Sequence, residues 1–570
     1  MTAMNAEGVR SLLRRATRPL PERAQLLLKR AEAALRQDDW AAPVKRLRLR
    51  EQDGLNDLAQ RNGKLPARKR VLIFSFQQVP PWLDVEFSLG SALWLRGHVV
   101  GGILCDGVLP LCEMNLGPSE RPPCGVCAGW LARYEDAFGF RFSRLTDFII
   151  KEDRDAAERQ VADTPDHELS TLVVDGVGVG RLALRELQRY YRGFVFEPAG
   201  DPAYRRWLVS ALLLARLVNR LLDREQPDVV VTANGRTLPS ACLREVAKSR
   251  GIRVVTWDTE PSHPDGLVFS HNHPAVEIPI DDAWSEASRQ CLASAQVEEL
   301  RDFLRRWARS DITPYPYNPA PLEDLTSIRS QLAWRPGAPM VVAFTNCAWD
   351  MAVVDRDVGF TSMFDWLFAL VEYAVAHSGI DLVVRAHPSE TRASPDLRSR
   401  TPVGSEILKR YGPLPGNIKL VGGQSPISSY ALADMAHVVI LYASRIGLEV
   451  ALRGKRPWLA GNVTYRGKGF TRDLASKEEM VALLDAGTFG DTLSAEEIEL
   501  AERFAYLWFF RYVTRLPLLR PRGRPFALKT FRELAPGGHP VIDNLCEALV
   551  TGAPFVDLHL ASAPVWEGVL

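Results

Sequence analysis

The chain lacks the features that mark membrane, secreted or nucleic-acid-binding proteins. No run approaches the roughly 18 consecutive apolar residues of a membrane span, and residues 1–15 contain no apolar stretch of the kind found in secretory signals. The formal net charge is only +1, so the chain as a whole has no electrostatic attraction for nucleic acid. We therefore expect a cytoplasmic protein with no nucleic-acid partner.

Internal repeats and cysteines are also scarce. We find no solenoid-type repeat, and only 8 of the 570 residues are cysteine, which a reducing cytoplasm keeps as thiols unless they bind metal. What is present is an ordinary globular composition, 46% hydrophobic and 24% charged. One hydrophobic core seldom serves so long a chain, so two or more domains are expected.

Residues 1–66 differ from the rest of the chain because they are rich in arginine and lysine and poor in acids. Within them, residues 24–35 repeat apolar side chains at helical spacing. This pattern predicts a helical N-terminal extension that packs on the body of the protein. The alternative is a basic amphipathic helix that docks on anionic lipid, which would place the protein peripherally at the inner face of the membrane.

Predicted strands and helices alternate through residues 67–310, which predicts a parallel sheet covered on both faces. Short apolar runs between turn signals have the length and composition of buried strands. These predicted strands are 69–76, 99–105, 228–235 and 253–257. The proline-rich residues 312–321 cannot form regular structure, so we place an interdomain linker at 311–337.

A second unit of the same kind is predicted over 338–490, followed by a C-terminal helix and tail over 491–570. The predicted strands of the second unit are 340–345, 381–385, 418–421 and 438–442. The predicted fold class is therefore α/β. We expect two Rossmann-like, doubly wound domains that face each other across a central cleft.

Polar turns with glycine follow the apolar strands of the second unit, at the sheet edge where open α/β sheets bind ligands. Arg385 and His387 come just after one strand, in an Arg-x-His-Pro turn. A cation and an imidazole at that position can pair with a diphosphate or a sugar carboxylate. The plain alternative is a structural His-Pro turn.

The turn after strand 438–442 contains Ser444, Gly447 and Glu449. Free N–H groups at the start of the following helix would make an anion site, to which Ser444 adds a hydroxyl. Glu449 could accept hydrogen bonds from a ribose diol, or could simply be favoured there by the helix dipole. Further polar residues at this edge are Thr345, Asn346, Asp350, Ser428, Ser429 and Lys468. Together they predict a site for a phosphorylated ligand, best matched by a nucleotide-sugar donor.

Residues 340–473 resemble the capsule-polysaccharide-synthesis glycosyltransferases, a group with the GT-B fold. The matching elements are Thr345-Asn-x-x-Trp-Asp350, Phe364–Trp366, Arg385-x-His-Pro388, Ser428-Ser-Tyr430, Tyr442-x-Ser444-x-x-Gly447-x-Glu449, Gly454-Lys455 and Gly467-Lys-Gly-Phe-Thr471. The His-Pro and serine motifs are also similar to those of bacterial Kdo- and sialyltransferases, where they hold a cytidine nucleotide. The resemblance implies transfer of a sugar to a glycan or lipid-linked acceptor in surface (capsular or exo-) polysaccharide synthesis, with donor-binding roles for His387, Ser444 and Glu449.

In this interpretation the first unit supplies the acceptor side and the catalytic carboxylate. Glu260 and Asp258, just after strand 253–257, are the leading candidates, and Glu86, after the first strand, comes next. A carboxylate there would act as general base toward the acceptor hydroxyl or as nucleophile in a double displacement. Acids at strand ends are also common as structural residues, so the sequence leaves their role open.

No Asp-x-Asp stands at a strand end of the second unit to hold a magnesium ion. We therefore expect that transfer requires no cofactor and that cationic side chains and helix N-termini hold the diphosphate charge.

Half of the cysteines lie in one short segment rich in proline and glycine, as Cys105, Cys112, Cys124 and Cys127. Four thiols at this spacing predict a structural zinc site. An iron–sulphur cluster would accept the same four thiolates. The remaining alternative is a set of reduced, partly buried cysteines.

Three other functions remain open on the sequence. A nucleotide-sugar 2-epimerase or a polyol-phosphate transferase would use the same fold with different chemistry. A non-catalytic assembly protein would bind nucleotide or glycan and recruit partners through the basic N-terminus and the cysteines. Fold alone does not decide among them.

Overall fold

The computed structural model describes residues 41–555 except 65–67, 78–79, 81, 116, 118–121, 261–262, 264, 278, 310–320, 352, 392–397 and 517–527. The predicted helix over 24–35 and the proline-rich segment at 312–321, apart from residue 321, lie outside the described residues. Helix α1 (Ala41–Asn62) belongs to the predicted N-terminal extension. It buries Val44 and Leu55 in the core beside the first sheet, so this part of the extension packs on the body.

The first sheet has seven strands, in the order β13-β6-β5-β4-β1-β2-β3. Strands β1 (Arg70–Ser75), β2 (Val99–Leu104), β3 (Ser143–Arg144), β4 (Val229–Ala233) and β5 (Arg253–Thr259) pair in parallel, while β6 (Gly266–His271) is antiparallel to β5. The chain leaves β1 toward β2 and later returns on the other side of β1 with β4. The carboxyl ends of β1 and β4 therefore form the topological switch point of this sheet.

Helices cover both faces of the first sheet. They are α2 (Trp82–Leu95), α3 (Cys124–Phe138), α4 (Glu152–Asp163), α5 (Val179–Tyr191), α6 (Pro202–Glu225) and α7 (Leu238–Ser249). Helix α5 begins only at Val179, because Asp175 and Gly176 adopt positive φ just ahead of it. Two further helices follow β6, α8 (Asp281–Ala287) and α9 (Ser294–Ala308).

The second sheet is parallel throughout, in the order β12-β11-β10-β7-β8-β9. Its strands are β7 (Met340–Phe344), β8 (Asp381–Arg385), β9 (Ile418–Val421), β10 (Val438–Leu441), β11 (Trp458–Leu459) and β12 (Arg472–Asp473). Its helices, with α10 before the first strand, are α10 (Leu325–Gln331), α11 (Met363–Ala376), α12 (Val403–Tyr411), α13 (Ser429–Met435), α14 (Ile446–Ala451) and α15 (Lys477–Asp485). Because β7 lies between β8 and β10, the switch point of this sheet is at the ends of β7 and β10.

The last described segments return to the first unit. Helix α16 (Ala495–Tyr506) continues as a π-helical turn over 507–511. Strand β13 (Thr514–Arg515) then pairs antiparallel with β6, and α17 (Pro540–Thr551) packs in the core that contains α2. A segment predicted as a separate helix and tail thus completes the first sheet.

The predicted fold class is confirmed: two doubly wound α/β units face each other across a cleft. One apolar cluster is shared between them, since Trp284 and Phe303 of the first half pack in the same core as Phe344 of the second and Phe504 of α16. No helix among the described residues is both long enough and apolar enough to cross a membrane.

Candidate functional site in the interdomain cleft

The carboxyl ends of both sheets open onto one cavity of about 570 Å³. The first half contributes Asn234, Arg236, Asp258, Glu260 and Trp307 to its wall. The second half contributes the turns after β7, β8 and β10. Of the predicted donor-site residues, those that line it are Thr345, Asn346, Asp350, Arg385, His387, Ser428, Ser429, Ser444 and Glu449. The structure thus brings most of the predicted site residues together.

Asn346 connects the turn after β7 to the turn after β10, at the switch point of the second sheet. Its side-chain amide donates to the carbonyl of Ala443 at 3.0 Å and accepts from the N–H of the same residue at 3.2 Å. The Thr345 hydroxyl contacts the carbonyl of Arg385 at 3.4 Å, which ties the same turn to the end of β8. These side chains therefore fix the loops of the cavity, and they were predicted as ligand contacts.

His387 is held in one tautomer by its own turn. Its Nδ1 accepts the backbone N–H of Ser389 at 3.1 Å and lies 3.7 Å from the thiol of Cys347. Because Nδ1 is an acceptor, the proton of the neutral ring belongs on Nε2. His387 lines the cavity, so its ring offers an N–H donor suited to an anionic oxygen.

Arg385 has a different set of contacts from those predicted. It is 2% exposed, and its guanidinium donates to the carbonyl of Gly422 at 2.6 Å and, at longer range, to the carbonyl of Ser425 and the hydroxyl of Ser429. Burial lowers the pKa of Arg385 to about 10. Most of its donors are used within the protein, so it joins the turns after β8 and β9 while one side borders the cavity.

Ser428, Ser444 and Gly447 of the predicted site also make contacts that stabilise the local fold. Ser428 caps α13 by accepting the N–H of Ala431. A Cβ on Gly447 would stand 2.3 Å from the Tyr465 hydroxyl, which itself donates to the carbonyl of Ser444. Gly447 is therefore required for packing and does not line the cavity. Helix α14 has only six residues, too short for the strong helix-terminus anion site that the sequence suggested.

Glu449 is a buried carboxylate of the second half that lines the cavity. Burial raises its pKa, against the opposing effects of Arg445 and a hydrogen bond with Tyr430. Arg445 lies 3.9 Å from one Glu449 oxygen and stacks 3.7 Å above the centre of the Trp307 ring. The sequence analysis missed Arg445, although it sits beside Ser444 in the same motif.

Asp258 and Glu260, the leading predicted catalytic carboxylates, border the cavity at the end of β5. Asp258 accepts from the Asn234 amide at 2.6 Å and from the N–H of Thr259 at 2.7 Å. Burial raises the pKa of Asp258 despite these donors, and the neighbouring Glu260 adds to the rise. Glu260 lies 3.7 Å from the guanidinium of Arg445, so one arginine side chain connects the carboxylates of the two halves.

Two more arginines, also missed from the sequence, border the cavity from opposite halves. Arg236 follows β4 and Arg356 follows β7, and both line the cavity. Arg236 donates to the carbonyl of Met351 and pairs with Glu277. The pKa of Arg356 is lowered to about 10, mainly by burial and in part by the charge of Arg236, while Glu277 opposes the change. Both arginines bring positive charge to the wall of the cavity, which suits an anionic ligand.

Besides Gly447, two more of the predicted site residues, Lys468 and Glu86, do not line the cavity. Lys468 pairs with Asp281 of α8. Glu86 is 1% exposed within α2, and its neighbours include Ser75 and Glu113. Burial raises the pKa of Glu86 to about 8, with Glu113 adding to the rise. The structure thus separates Glu86 from the carboxylates of β5.

This buried acid predicts a pH-dependent stability. The pKa of this carboxyl is about 8 in the folded protein and about 4.5 in an exposed reference. Its contribution to stability is therefore complete below pH 4.5 and is lost as the pH rises from 4.5 to about 8. We expect the free energy of unfolding in denaturant titrations to fall by a few kcal/mol, on the order of 1.4 per pKa unit, from pH 5 to pH 8. Glu86→Gln should make the free energy of unfolding less dependent on pH. Glu158→Gln, which changes an exposed acid, should show the same pH dependence as the wild type. An unchanged slope in Glu86→Gln would contradict the assignment.

None of the four cysteines of the predicted zinc site is in a disulfide, and each is partly buried. Within the described residues, no group of three or more His, Cys, Asp or Glu side chains is already set in the geometry of a metal site. Zinc therefore stays a prediction at this point.

No family model matches the chain, and no curated protein matches it. Solved structures do match. The β-Kdo 2,4-transferase KpsC of Thermosulfurimonas dismutans is 13% identical and matches 50% of this chain and 81% of its own, with a TM-score of 0.29. The UDP-GlcNAc 2-epimerase of Neisseria meningitidis, bound to UDP-GlcNAc, is 12% identical over 76% of this chain and 98% of its own, with a TM-score of 0.22.

The glycosyltransferase SsfS6 of Streptomyces sp. SF2575 is 13% identical over 77% of this chain and 96% of its own, with a TM-score of 0.21. Transferases and epimerases thus occur together among the similar structures. At such identities and TM-scores the likeness carries no argument, and function has to be argued from the cleft.

Proposed function

We propose that the protein is a glycosyltransferase that moves a sugar from a nucleotide-sugar to a glycan or lipid-linked acceptor in surface polysaccharide synthesis. One observation carries the proposal: the carboxylates of β5 and the donor-side residues His387 and Glu449 border the same cavity, and Arg445 joins the two faces. A transferase needs this arrangement, because acceptor and donor must meet in one water-excluding space.

The donor would lie against the switch point of the second sheet. His387 offers an N–H, and Arg236 and Arg356 offer charge, to the diphosphate or phosphate of the nucleotide. Charge held in this way stabilises the leaving nucleotide as the glycosidic bond breaks. The aromatic side chains of Tyr430 and Trp508 give the cavity apolar surface on which a base or sugar ring can pack.

The acceptor hydroxyl would approach from the side of β5. We assign its deprotonation to Glu260, which is contacted by Arg445 at the edge of ion-pair range. Asp258 has both oxygens engaged by Asn234 and Thr259, so we assign it a positioning role. The Arg445 contact keeps Glu260 beside the donor, where a general base must stand.

The test is an acceptor-dependence assay with the purified chain. The protein is incubated with cytidine- and uridine-linked sugars, with and without an array of saccharide and lipid-linked acceptors. We expect free nucleotide to appear only when an acceptor is present, together with a product heavier by one sugar in mass spectra. Conversion of the sugar while it is still linked to the nucleotide, without acceptor, would instead show a 2-epimerase.

A further inference from the structure

A second, small cavity lies between the two halves of the protein, next to the main one. Its volume is about 20 Å³, which is room for one water molecule or one monatomic ion. Arg236 and Met351 belong to the walls of both cavities. The other charged residues of the small cavity's wall are Arg185, Arg244, Glu277 and Asp355. The proposed transfer uses neither Arg185 nor Arg244, so it does not account for this cavity.

Ion pairs connect the arginines beside the small cavity to the second half. Arg181 and Arg185 are four residues apart on α5, so their side chains leave the same face of the helix, where like charges repel each other. Both pair with Asp355, which follows β7, and the Arg181 pair measures 3.0 Å. The single carboxylate of Asp355 therefore serves two guanidinium groups.

Glu245 of α7 likewise serves two arginines. It pairs with Arg181 at 3.1 Å and lies 3.7 Å from Arg244, while Arg236 pairs with Glu277 at 2.5 Å. Within the part of the chain that the structure describes, these ion pairs join four arginines to only three carboxylates. They leave one positive charge without a counter-charge, although buried charges are normally paired.

Two of these arginines are almost fully buried. Arg185 is 6% exposed and Arg236 is 3% exposed, and among the described residues nothing accepts a hydrogen bond from the Nε of either. A buried donor without an acceptor is costly, most of all in a charged group. Burial lowers the pKa of Arg185 to about 9, and the charge of Arg181 adds to the fall while Glu245 opposes it. The excess charge and the unused donors thus lie in the wall of the same cavity.

We propose that the small cavity binds one monovalent anion of about the size of chloride, between Arg185 and Arg236. Such an ion supplies the one negative charge that the ion pairs lack, and it can accept hydrogen bonds from the Nε–H groups of both arginines. A water molecule could accept the same hydrogen bonds, but it would leave the excess charge in place. A phosphate or a sugar carboxylate is too large for a cavity of about 20 Å³.

The ion would join the two halves of the protein. Arg185 and Arg236 belong to the first half, and Met351 and Asp355 of the second half complete the wall. By relieving the repulsion among the arginines, the anion should strengthen the contacts between the halves, such as the hydrogen bond from Arg236 to the Met351 carbonyl. Chloride is therefore expected to stabilise the folded protein whether or not a nucleotide-sugar is bound.

Thermal unfolding of the full chain in sodium chloride and in sodium gluconate, at equal ionic strength, tests the site. Gluconate is too large for the cavity, whereas both salts screen surface charges alike. We expect the wild-type midpoint to rise with chloride and to level off about 2 °C above its value in gluconate.

Arg185→Gln removes the excess charge and one donor, so its midpoint should be the same in both salts. Arg306→Gln, which changes an exposed arginine of α9, should respond to chloride as the wild type does. Equal wild-type midpoints in the two salts, or a full chloride response in Arg185→Gln, would overturn the proposal.

A second readout locates the ion in wild-type protein and so does not depend on a variant that folds. Crystals are soaked in sodium bromide, and the anomalous scattering of bromide is mapped. We expect a bromide peak within hydrogen-bonding distance of the Nε atoms of Arg185 and Arg236. A water molecule in the cavity, with bromide only elsewhere, would contradict the site. Because neither readout uses nucleotide or acceptor, failure here leaves the proposed transferase untouched.

Discussion

Glu260→Gln is expected to lower the rate of sugar transfer by about 10²- to 10⁴-fold, the range usual for loss of a general base. The amide keeps the shape of the side chain but cannot accept the proton of the acceptor hydroxyl. Glu260 borders the cavity from the first half, opposite the proposed donor site, so the donor should still bind. The measurement is kcat from the acceptor-dependent assay, together with the dissociation constant of the donor from calorimetry.

The matched control is Glu298→Gln, which changes an exposed acid on α9 that pairs only at the surface. It should transfer at the wild-type rate. If Glu260→Gln keeps wild-type kcat while Asp258→Asn loses it, the general base is Asp258 and the roles assigned to the two carboxylates are reversed.

Arg385→Met is expected to destabilise the fold strongly. The arginine satisfies the carbonyl of Gly422 and also contacts Ser425 and Ser429 in a buried setting. Each buried acceptor left without a partner costs roughly 1–3 kcal/mol, and methionine supplies no donor. The midpoint of denaturant unfolding should therefore fall, while the exposed Lys409→Met should leave it unchanged.

This result would separate a structural from a ligand-binding role for Arg385. If Arg385→Met unfolds at the wild-type midpoint but no longer binds nucleotide, its main partner is the ligand, as the sequence first suggested.

The core strands of both sheets were predictable because they are continuous apolar runs with clear turn signals on either side. Strands 381–385 and 418–421 match the structure residue for residue. The two-residue strands β3, β11, β12 and β13 carry no such periodicity, and they exist only because a neighbouring strand pairs with them. The return of the C-terminal segment to the first sheet is likewise a long-range pairing.

Some residues of the candidate site could likewise be predicted from the sequence, and others could not. His387, Ser444 and Glu449 could be placed from the sequence because each follows a recognisable strand, and the ends of parallel strands meet at one edge. Arg236, Arg356 and Arg445 could not, because their importance depends on contacts between halves that are distant in sequence. The local roles of Gly447 and Lys468 depend on Tyr465 and Asp281, which no motif links to them.

The central claim is that this cleft holds a nucleotide-sugar, and a calorimetric titration tests it most directly. Wild-type protein and His387→Ala are titrated with cytidine- and uridine-linked sugars. We predict that one donor class binds the wild type with one site per chain, and that the variant binds it at least about tenfold more weakly, as expected for a lost hydrogen bond to a charged group. No binding of any nucleotide-sugar to the folded wild-type protein would contradict the account and favour a non-catalytic assembly protein.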